Sequence, residues 1–133
     1  MTPKNPSSSG TGALKPRALV PLAHVMDVQR AIAFYQQLGF TVGGSLNGVN
    51  GVIDWAVLEH DGAQIMFARA TAPVLAEEQA VLFCVYYKDI AAAHAELIAA
   101  GLDVGPMLFP PHAPRGEVRM IDPDGYVVQI THI

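Results

Sequence analysis

Cysteine and basic residues are scarce in this sequence, and each scarcity excludes a class of protein. The single cysteine, Cys84, cannot form an intramolecular disulfide or supply a thiolate zinc site alone. Eight basic against twelve acidic residues give a net charge of −4, so nucleic acid is not an expected partner. No apolar run reaches the roughly 18 residues of a membrane-spanning helix. The sequence therefore predicts a protein of the cytoplasm that binds neither membrane nor nucleic acid.

Apolar residues, in contrast, are abundant. They make up 51% of the 133 residues, and charged residues make up 15%, a composition that is too apolar for a disordered chain and sufficient for one core. The apolar excess predicts an additional buried surface, most simply a homodimer interface. Residues 1–17, which begin MTPKNPSSSG, are mostly polar and predict a flexible tail in front of the core.

Two segments of the chain align without a gap. Residues 20–43 have the sequence VPLAHVMDVQRAIAFYQQLGFTVG, and residues 82–105 have the sequence LFCVYYKDIAAAHAELIAAGLDVG. Each segment starts with a run of strand character and continues with an Asp, Asp27 or Asp89, that is suited to cap a helix. Each helical pattern ends at a glycine suited to a left-handed cap. A strand is predicted after each helix, over 40–45 and 102–107.

Each copy of the repeat ends in a predicted β-hairpin. Asp61-Gly62 and Asp124-Gly125 are turn sequences, because glycine accepts the positive φ that tight turns need. The chain is therefore predicted to be an α+β fold of two βαβββ repeats, at 18–70 and 81–133, joined by a linker at 71–80. One repeat cannot bury both faces of its sheet, so we expect the copies to form one compact domain, either within one chain or by exchange across a dimer. Helices would cover the outer face of an incomplete, barrel-like sheet that surrounds a cleft.

The sequence also resembles a known family at two motifs. The segment DVQRAIAFYQQLGF at 27–40 resembles the D-x-x-x-A-I-x-F-Y-x-x-L-G-F signature of the vicinal oxygen chelate superfamily. The segment DPDGY at 122–126 resembles its D-P-D-G-N closing hairpin, with Tyr126 in place of Asn. This superfamily includes glyoxalase I, extradiol dioxygenases, fosfomycin-resistance enzymes and bleomycin-resistance proteins. The resemblance covers residues 18–133, and it implies the fold more strongly than any one reaction.

The resemblance implies four positions at which the enzymes of this superfamily hold a divalent metal ion. Two lie seven residues before the capping aspartates, and two lie four residues after the hairpin glycines. In this chain they are occupied by Val20, Leu82, Met66 and Gln129. Two aliphatic side chains, a thioether and a neutral amide do not suit a hard or borderline dication. We therefore expect neither a metal nor another cofactor in the cleft.

The same four positions indicate which side chains face the cleft, because successive side chains of a strand point to opposite sides. Pairing across the last hairpin is expected to add Val118 and Met120. The resulting lining is apolar and aromatic with a few polar groups, which is typical of a small-molecule pocket. A proline-rich loop at 109–115 is expected to lie over this cleft. The candidate ligand-binding residues are His24, Trp55, Glu59, Gln64, Met66, Cys84, Tyr86, Phe109, His112, Met120 and Gln129.

Three functions are compatible with this sequence. The leading hypothesis is a metal-free protein without catalytic residues that captures a small, partly aromatic molecule, as the resemblance to bleomycin-resistance proteins implies. The alternative is a lyase, isomerase or dioxygenase of the same superfamily with a displaced metal site, for which His24, Glu59 and His112 are the available donors. The third is a structural or partner-binding module whose cleft is filled by its own side chains.

Overall fold

A computed structural model of the protein describes residues 13–132, so most of the predicted tail, residues 1–12, lies outside the described residues. The elements follow one another in the order expected for a repeated unit. No helix in the described part of the chain is long and apolar enough to cross a membrane. The elements are β1 (Leu22–Val25), α1 (Val28–Gln37), β2 (Thr41–Asn47), β3 (Ile53–His60), β4 (Ala63–Arg69), β5 (Leu82–Tyr87), α2 (Ile90–Ala99), β6 (Glu117–Ile121) and β7 (Val127–His132).

The strands form two mixed sheets that do not close into a barrel. The first sheet has the order β1-β4-β3-β2, and the second has the order β5-β7-β6. In each sheet the first strand of the copy runs parallel to the last strand, and the other pairs are antiparallel. This repeated arrangement confirms the predicted α+β fold.

Local sequence signals determine where both helices begin and end. Asp27 and Asp89 each accept a hydrogen bond from the backbone N–H three residues further on, at 3.2 and 3.0 Å. Gly39 and Gly101, which follow the helices, have φ of 105° and 82°. The caps predicted from the repeat are therefore confirmed at both ends of both helices.

The strand predicted over 102–107 is not formed, and this part of the prediction was wrong. The segment runs beside β6, where the Gly105 N–H donates to the Arg119 carbonyl at 2.9 Å and Leu108 forms a bridge to Glu117. Between these two contacts lies Pro106, which has no N–H to continue the ladder. The second sheet therefore has three strands, whereas the first has four.

Side chains from both copies share one hydrophobic core. One face of each sheet packs against the helices, and α1 contributes the fully buried Tyr35. Val118 and Met120, only 1% and 3% exposed, belong to this core, which corrects the prediction that they face the cleft. The other buried sheet residues of the core include Ala23, Val25, Ala56, Leu58, Ile65, Phe67, Val128 and Ile130.

The length of the last turn explains why Met120 lies in the core. Five residues, 122–126, separate the paired ends of β6 and β7. A two-residue turn at 124–125 would pair Met120 with Gln129, whereas the observed register pairs Arg119 with Gln129. Because a shift of one residue moves every side chain to the other face, Arg119 lies where Met120 was expected.

The carboxylate of Asp122 connects this turn to the first copy. It accepts a hydrogen bond from the Tyr35 hydroxyl at 2.7 Å and two from the N–H groups of Asp124 and Tyr126, each at 2.9 Å. Burial raises the pKa of Asp122, and these hydrogen bonds only partly oppose the rise. Burial and the Asp122 charge also raise the pKa of Tyr35, which therefore stays protonated and donates.

Two further residues of the turn contact the start of the first copy. Asp124, 6% exposed, accepts a hydrogen bond from the Met26 N–H at 2.8 Å and lies 3.6 Å from the Arg30 guanidinium. The Tyr126 hydroxyl donates to the His24 carbonyl at 2.9 Å. The turn therefore fixes the relative position of the two copies through polar contacts as well as through the core.

Replacing Tyr35 with Phe tests this connection. The variant keeps the ring in the core and leaves the buried Asp122 carboxylate without its hydroxyl donor. We expect a loss of about 1.5–3 kcal/mol in the free energy of unfolding, measured by urea denaturation at pH 7. The matched control is Tyr86→Phe, which removes the same hydroxyl from a side chain that is largely exposed. Equal stabilities of the two variants would contradict this account.

The raised pKa of Asp122 predicts a pH dependence. The folded protein holds the proton of the Asp122 carboxyl more tightly than the unfolded chain does. The resulting contribution to the free energy of unfolding is therefore fully present below the ordinary aspartate pKa of about 3.9, and it decreases as the pH rises through the raised pKa. Asp122→Asn has no such ionisation. The unfolding free energy of the wild type, measured relative to that of Asp122→Asn, should therefore fall as the pH rises from 4 toward 7. A constant or rising difference would show that burial does not raise this pKa.

Candidate functional site

Each sheet has a face opposite the shared core that the described residues leave largely uncovered. Large apolar side chains lie on these faces with high exposure, for example Leu46 at 63%, Tyr86 at 57% and Ile121 at 58%. We call these surfaces the first and second open faces, after the sheets that carry them. The first consists of Leu22, His24, Leu46, Trp55, Val57, Glu59, Gln64, Met66 and Ala68, and the second consists of Leu82, Cys84, Tyr86, Glu117, Arg119, Ile121, Val127, Gln129 and Thr131.

The first open face is apolar at its centre and polar at its ends. Met66 lies between Leu22 and Val57 in the register of three neighbouring strands, and Trp55 is partly exposed beside this row. At one end the Gln64 amide donates to the Glu59 carboxylate at 3.1 Å. The structure therefore brings five of the predicted site residues to one face: His24, Trp55, Glu59, Gln64 and Met66.

The second open face is a grid of three rows across β5, β7 and β6. The row at one end is apolar, the central row is polar apart from the Cys84 thiol, and the row at the other end contains both apolar and polar side chains. Cys84 is exposed and lies beside Gln129. In strand order the rows are Leu82, Val127 and Ile121; Cys84, Gln129 and Arg119; and Tyr86, Thr131 and Glu117.

Three polar side chains of this face and His112 of the proline-rich loop form a connected group, which we call the polar strip: His112, Glu117, Arg119 and Gln129. The His112 Nε2 donates to Glu117 Oε1 at 2.7 Å, and the Arg119 Nε lies 3.5 Å from Glu117 Oε2. The Arg119 Nη2 donates to Gln129 Oε1 at 3.1 Å. Glu117 is 4% exposed, and the opposite charge and hydrogen bonds of its partners compensate the cost of burying its carboxylate.

The loop at 109–116 lies over one end of the second open face. His112 holds it there through Glu117, and Ala113 is 5% exposed, whereas Phe109 is 67% exposed. Of the two predicted loop candidates, His112 therefore contacts a residue of the open face, and Phe109 projects into solvent.

Sequence reasoning missed Glu117 and Arg119 because it assumed a two-residue turn. A signal was available in the alternation of β6 itself. In the segment EVRMI at 117–121, Val118 and Met120 are the apolar residues of one face, and the charged residues alternate with them. Such a pattern places Val118 and Met120 toward a core and the charged residues on the opposite side.

Of the predicted residues, His24 also borders a cavity. The cavity has a volume of about 410 Å³ and lies between β1 and the linker. Tyr126, residues 70–75, Glu78 and Gln79 complete its lining. His24 therefore stands where the first open face meets the linker.

The residues at the four metal-equivalent positions do not fit a metal ion. Val20 and Leu82 offer no donor, Met66 offers a soft sulfur, and the Gln129 oxygen already accepts from the Arg119 guanidinium. A fixed positive charge at the only hard donor opposes the binding of a dication. Within residues 13–132 no group of three or more His, Cys, Asp or Glu side chains is arranged to hold one. The donors considered for a displaced site, His24, Glu59 and His112, are likewise not brought together.

Comparison with known proteins identifies the type of fold. The family model described as Glyoxalase/Bleomycin resistance protein/Dioxygenase superfamily matches residues 20–130. A search of curated proteins finds no significant match.

Solved structures similar to this chain include three proteins whose descriptions name bleomycin binding, bleomycin resistance or antibiotic binding. A bleomycin-binding protein in complex with bleomycin has a TM-score of 0.72 and 16% identity over 89% of this chain and 99% of its own. A bleomycin resistance determinant encoded on the transposon Tn5 has a TM-score of 0.70 and 15% identity over 88% and 98%. TnmS3, an antibiotic-binding protein from Streptomyces sp. CB03234, has a TM-score of 0.68 and 22% identity over 91% and 98%.

The donor set predicts the metal content of the protein. A chain purified without an affinity metal or chelator, from medium containing zinc, nickel, manganese and iron, should carry metal well below one ion per chain by elemental analysis. A zinc enzyme taken through the same steps provides the positive control. A stoichiometric metal ion would contradict this prediction and favour the lyase, isomerase or dioxygenase alternative.

Proposed function

Because the chain belongs to the Glyoxalase/Bleomycin resistance protein/Dioxygenase superfamily, we propose that it captures a small, partly aromatic molecule on its open faces without converting it. The molecule would be a drug or a metabolite. The observation that carries this proposal is the composition of the open faces, which are uncovered, largely apolar and supplied with a few ordered polar groups. Binding sites for small molecules have this composition.

Two aromatic side chains on the open faces support a flat ligand. Trp55 is partly exposed on the first open face, and Tyr86 is 57% exposed on the second. Aromatic rings that remain exposed in the free protein gain both burial and ring contacts when a flat molecule covers them.

The lack of fitting metal donors supports capture rather than catalysis. Members of the superfamily that act as enzymes use a metal, and the equivalent positions here carry Val20, Met66, Leu82 and Gln129. The exposure of the open faces also speaks against the third hypothesis, a cleft filled by its own side chains. The solved neighbours whose descriptions name bleomycin or antibiotic binding share this fold.

We further propose that a homodimer completes the cleft, with the first open face of one chain opposite the second open face of its partner. β1 and β5 are edge strands that do not pair with each other in the described part of the chain. The two sheets therefore do not join into one continuous wall within a chain. Association would cover apolar side chains such as Leu46 and Ile121, and it accounts for the high apolar content of the sequence.

Replacing Trp55 with Leu tests the capture function. Calorimetric titration would use three naphthalene probes of similar shape: 2-naphthoate, 2-acetylnaphthalene and 2-naphthylmethylamine. We expect at least one probe to bind the wild type and to bind Trp55→Leu about tenfold more weakly, because the larger ring surface and its stacking are lost.

The control variant is Ile98→Ala, which removes a half-exposed apolar side chain from α2, away from both open faces. It should bind like the wild type. Absence of binding by all three probes, or equal affinities of Trp55→Leu and the wild type, would contradict the proposed function.

A further inference from the structure

We infer that the second open face selects ligands that carry an acceptor oxygen. It prefers a carboxylate to a neutral carbonyl. This inference rests on the proposed function and names the chemistry that its site recognises. The inference depends on the atoms of the polar strip that are not engaged in hydrogen bonds within the strip and so remain available to a ligand.

The orientation of Gln129 follows from its partner. An arginine side chain has only donors, so the Gln129 atom that faces Arg119 at 3.1 Å is the amide oxygen. The amide nitrogen therefore points away from Arg119, and it has no hydrogen-bond partner within residues 13–132. Gln129 is 9% exposed, and its amide N–H groups are the donors that it can offer to a molecule on the open face.

The acceptor oxygens of the polar strip are already used. Glu117 faces His112 with one oxygen and Arg119 with the other, and its side chain is 5% exposed. Arg119 engages Glu117 and Gln129 through two of its nitrogens, and its side chain is 54% exposed. Among Glu117, Arg119 and Gln129, the groups that remain for a ligand are therefore donors: the other guanidinium N–H groups and the Gln129 amide N–H groups.

The distribution of charge within the strip selects the sign of the ligand's charge. The negative charge of Glu117 is buried, and the positive charge of Arg119 is presented to solvent. A carboxylate on the ligand would form charge-assisted hydrogen bonds with the guanidinium, whereas an ammonium group would meet a like charge. A neutral carbonyl would accept hydrogen bonds without the charge contribution.

On the first open face, the row that corresponds to the row of Arg119 contains no charged or polar side chain. In the repeat, the row of Cys84, Gln129 and Arg119 corresponds to the row of Leu22, Met66 and Val57, which is entirely apolar. The two open faces would therefore contact opposite sides of the ligand differently. The apolar ring would lie on the first face, and the oxygen would point to the second.

The three naphthalene probes test this inference, since they differ mainly in the polar group. For the wild type we expect affinity to decrease from 2-naphthoate to 2-acetylnaphthalene to 2-naphthylmethylamine. Arg119→Met should weaken 2-naphthoate binding about tenfold or more, because a charge-assisted hydrogen bond is lost. Glu117→Gln should strengthen it, because the guanidinium loses its counter-charge. Opposite changes from two variants of one ion pair do not arise from general unfolding.

The matched control is Arg69→Met, which removes an arginine from another carboxylate pair, with Asp54, away from the open faces. It should leave the order and affinity of the probes unchanged. If the probes bind and Trp55→Leu weakens them, but Arg119→Met does not change the preference for 2-naphthoate, the inference is overturned and the proposed function stands. If no probe binds, both are overturned. A preference for the amine would also overturn the inference.

Discussion

The hydrogen bond between the Tyr35 hydroxyl and the Asp122 carboxylate, both buried, connects the helix of the first copy to the last turn of the second. The same carboxylate accepts two N–H groups of its own turn, so it determines the turn's conformation. That five-residue turn sets the register of β6 against β7, which places Arg119 and not Met120 on the open face. Asp122 therefore contributes both to the attachment of the two copies and to the chemistry of the second open face.

The features that could be predicted from sequence are those determined by neighbouring residues. The capping aspartates, the terminating glycines and the Asp61-Gly62 hairpin need only local geometry, and the alternation within the first sheet followed from them. The turn sequence alone did not predict the register of the last hairpin, because Asp122 is held by a tyrosine 87 positions away in the sequence. The local signal for this register was the alternation of apolar and charged residues in β6. The analogy between the copies predicted a strand over 102–107. This strand is not formed because Pro106 has no N–H to continue the hydrogen-bond ladder.

The two open faces differ in chemistry although both copies have the same repeated arrangement of elements. The first presents Trp55 and an apolar row, and the second presents a buried carboxylate that holds an exposed guanidinium. Where the enzymes of the superfamily would hold a metal ion, this chain has a guanidinium bound to Gln129. The positive charge at this place is therefore supplied by the protein, and in the proposed function it orients a ligand's oxygen.

The central claim is that the ligand is held between the first open face of one chain and the second open face of another. The most direct test mixes chains carrying Trp55→Leu with chains carrying Arg119→Met and titrates the re-equilibrated dimers with 2-naphthoate. A mixed dimer would contain one cleft with both faces intact and one with both altered, so a class of sites with wild-type affinity should appear that neither variant has alone. If each cleft were built within one chain, the mixture would show only the two weakened affinities, and that result would contradict the account.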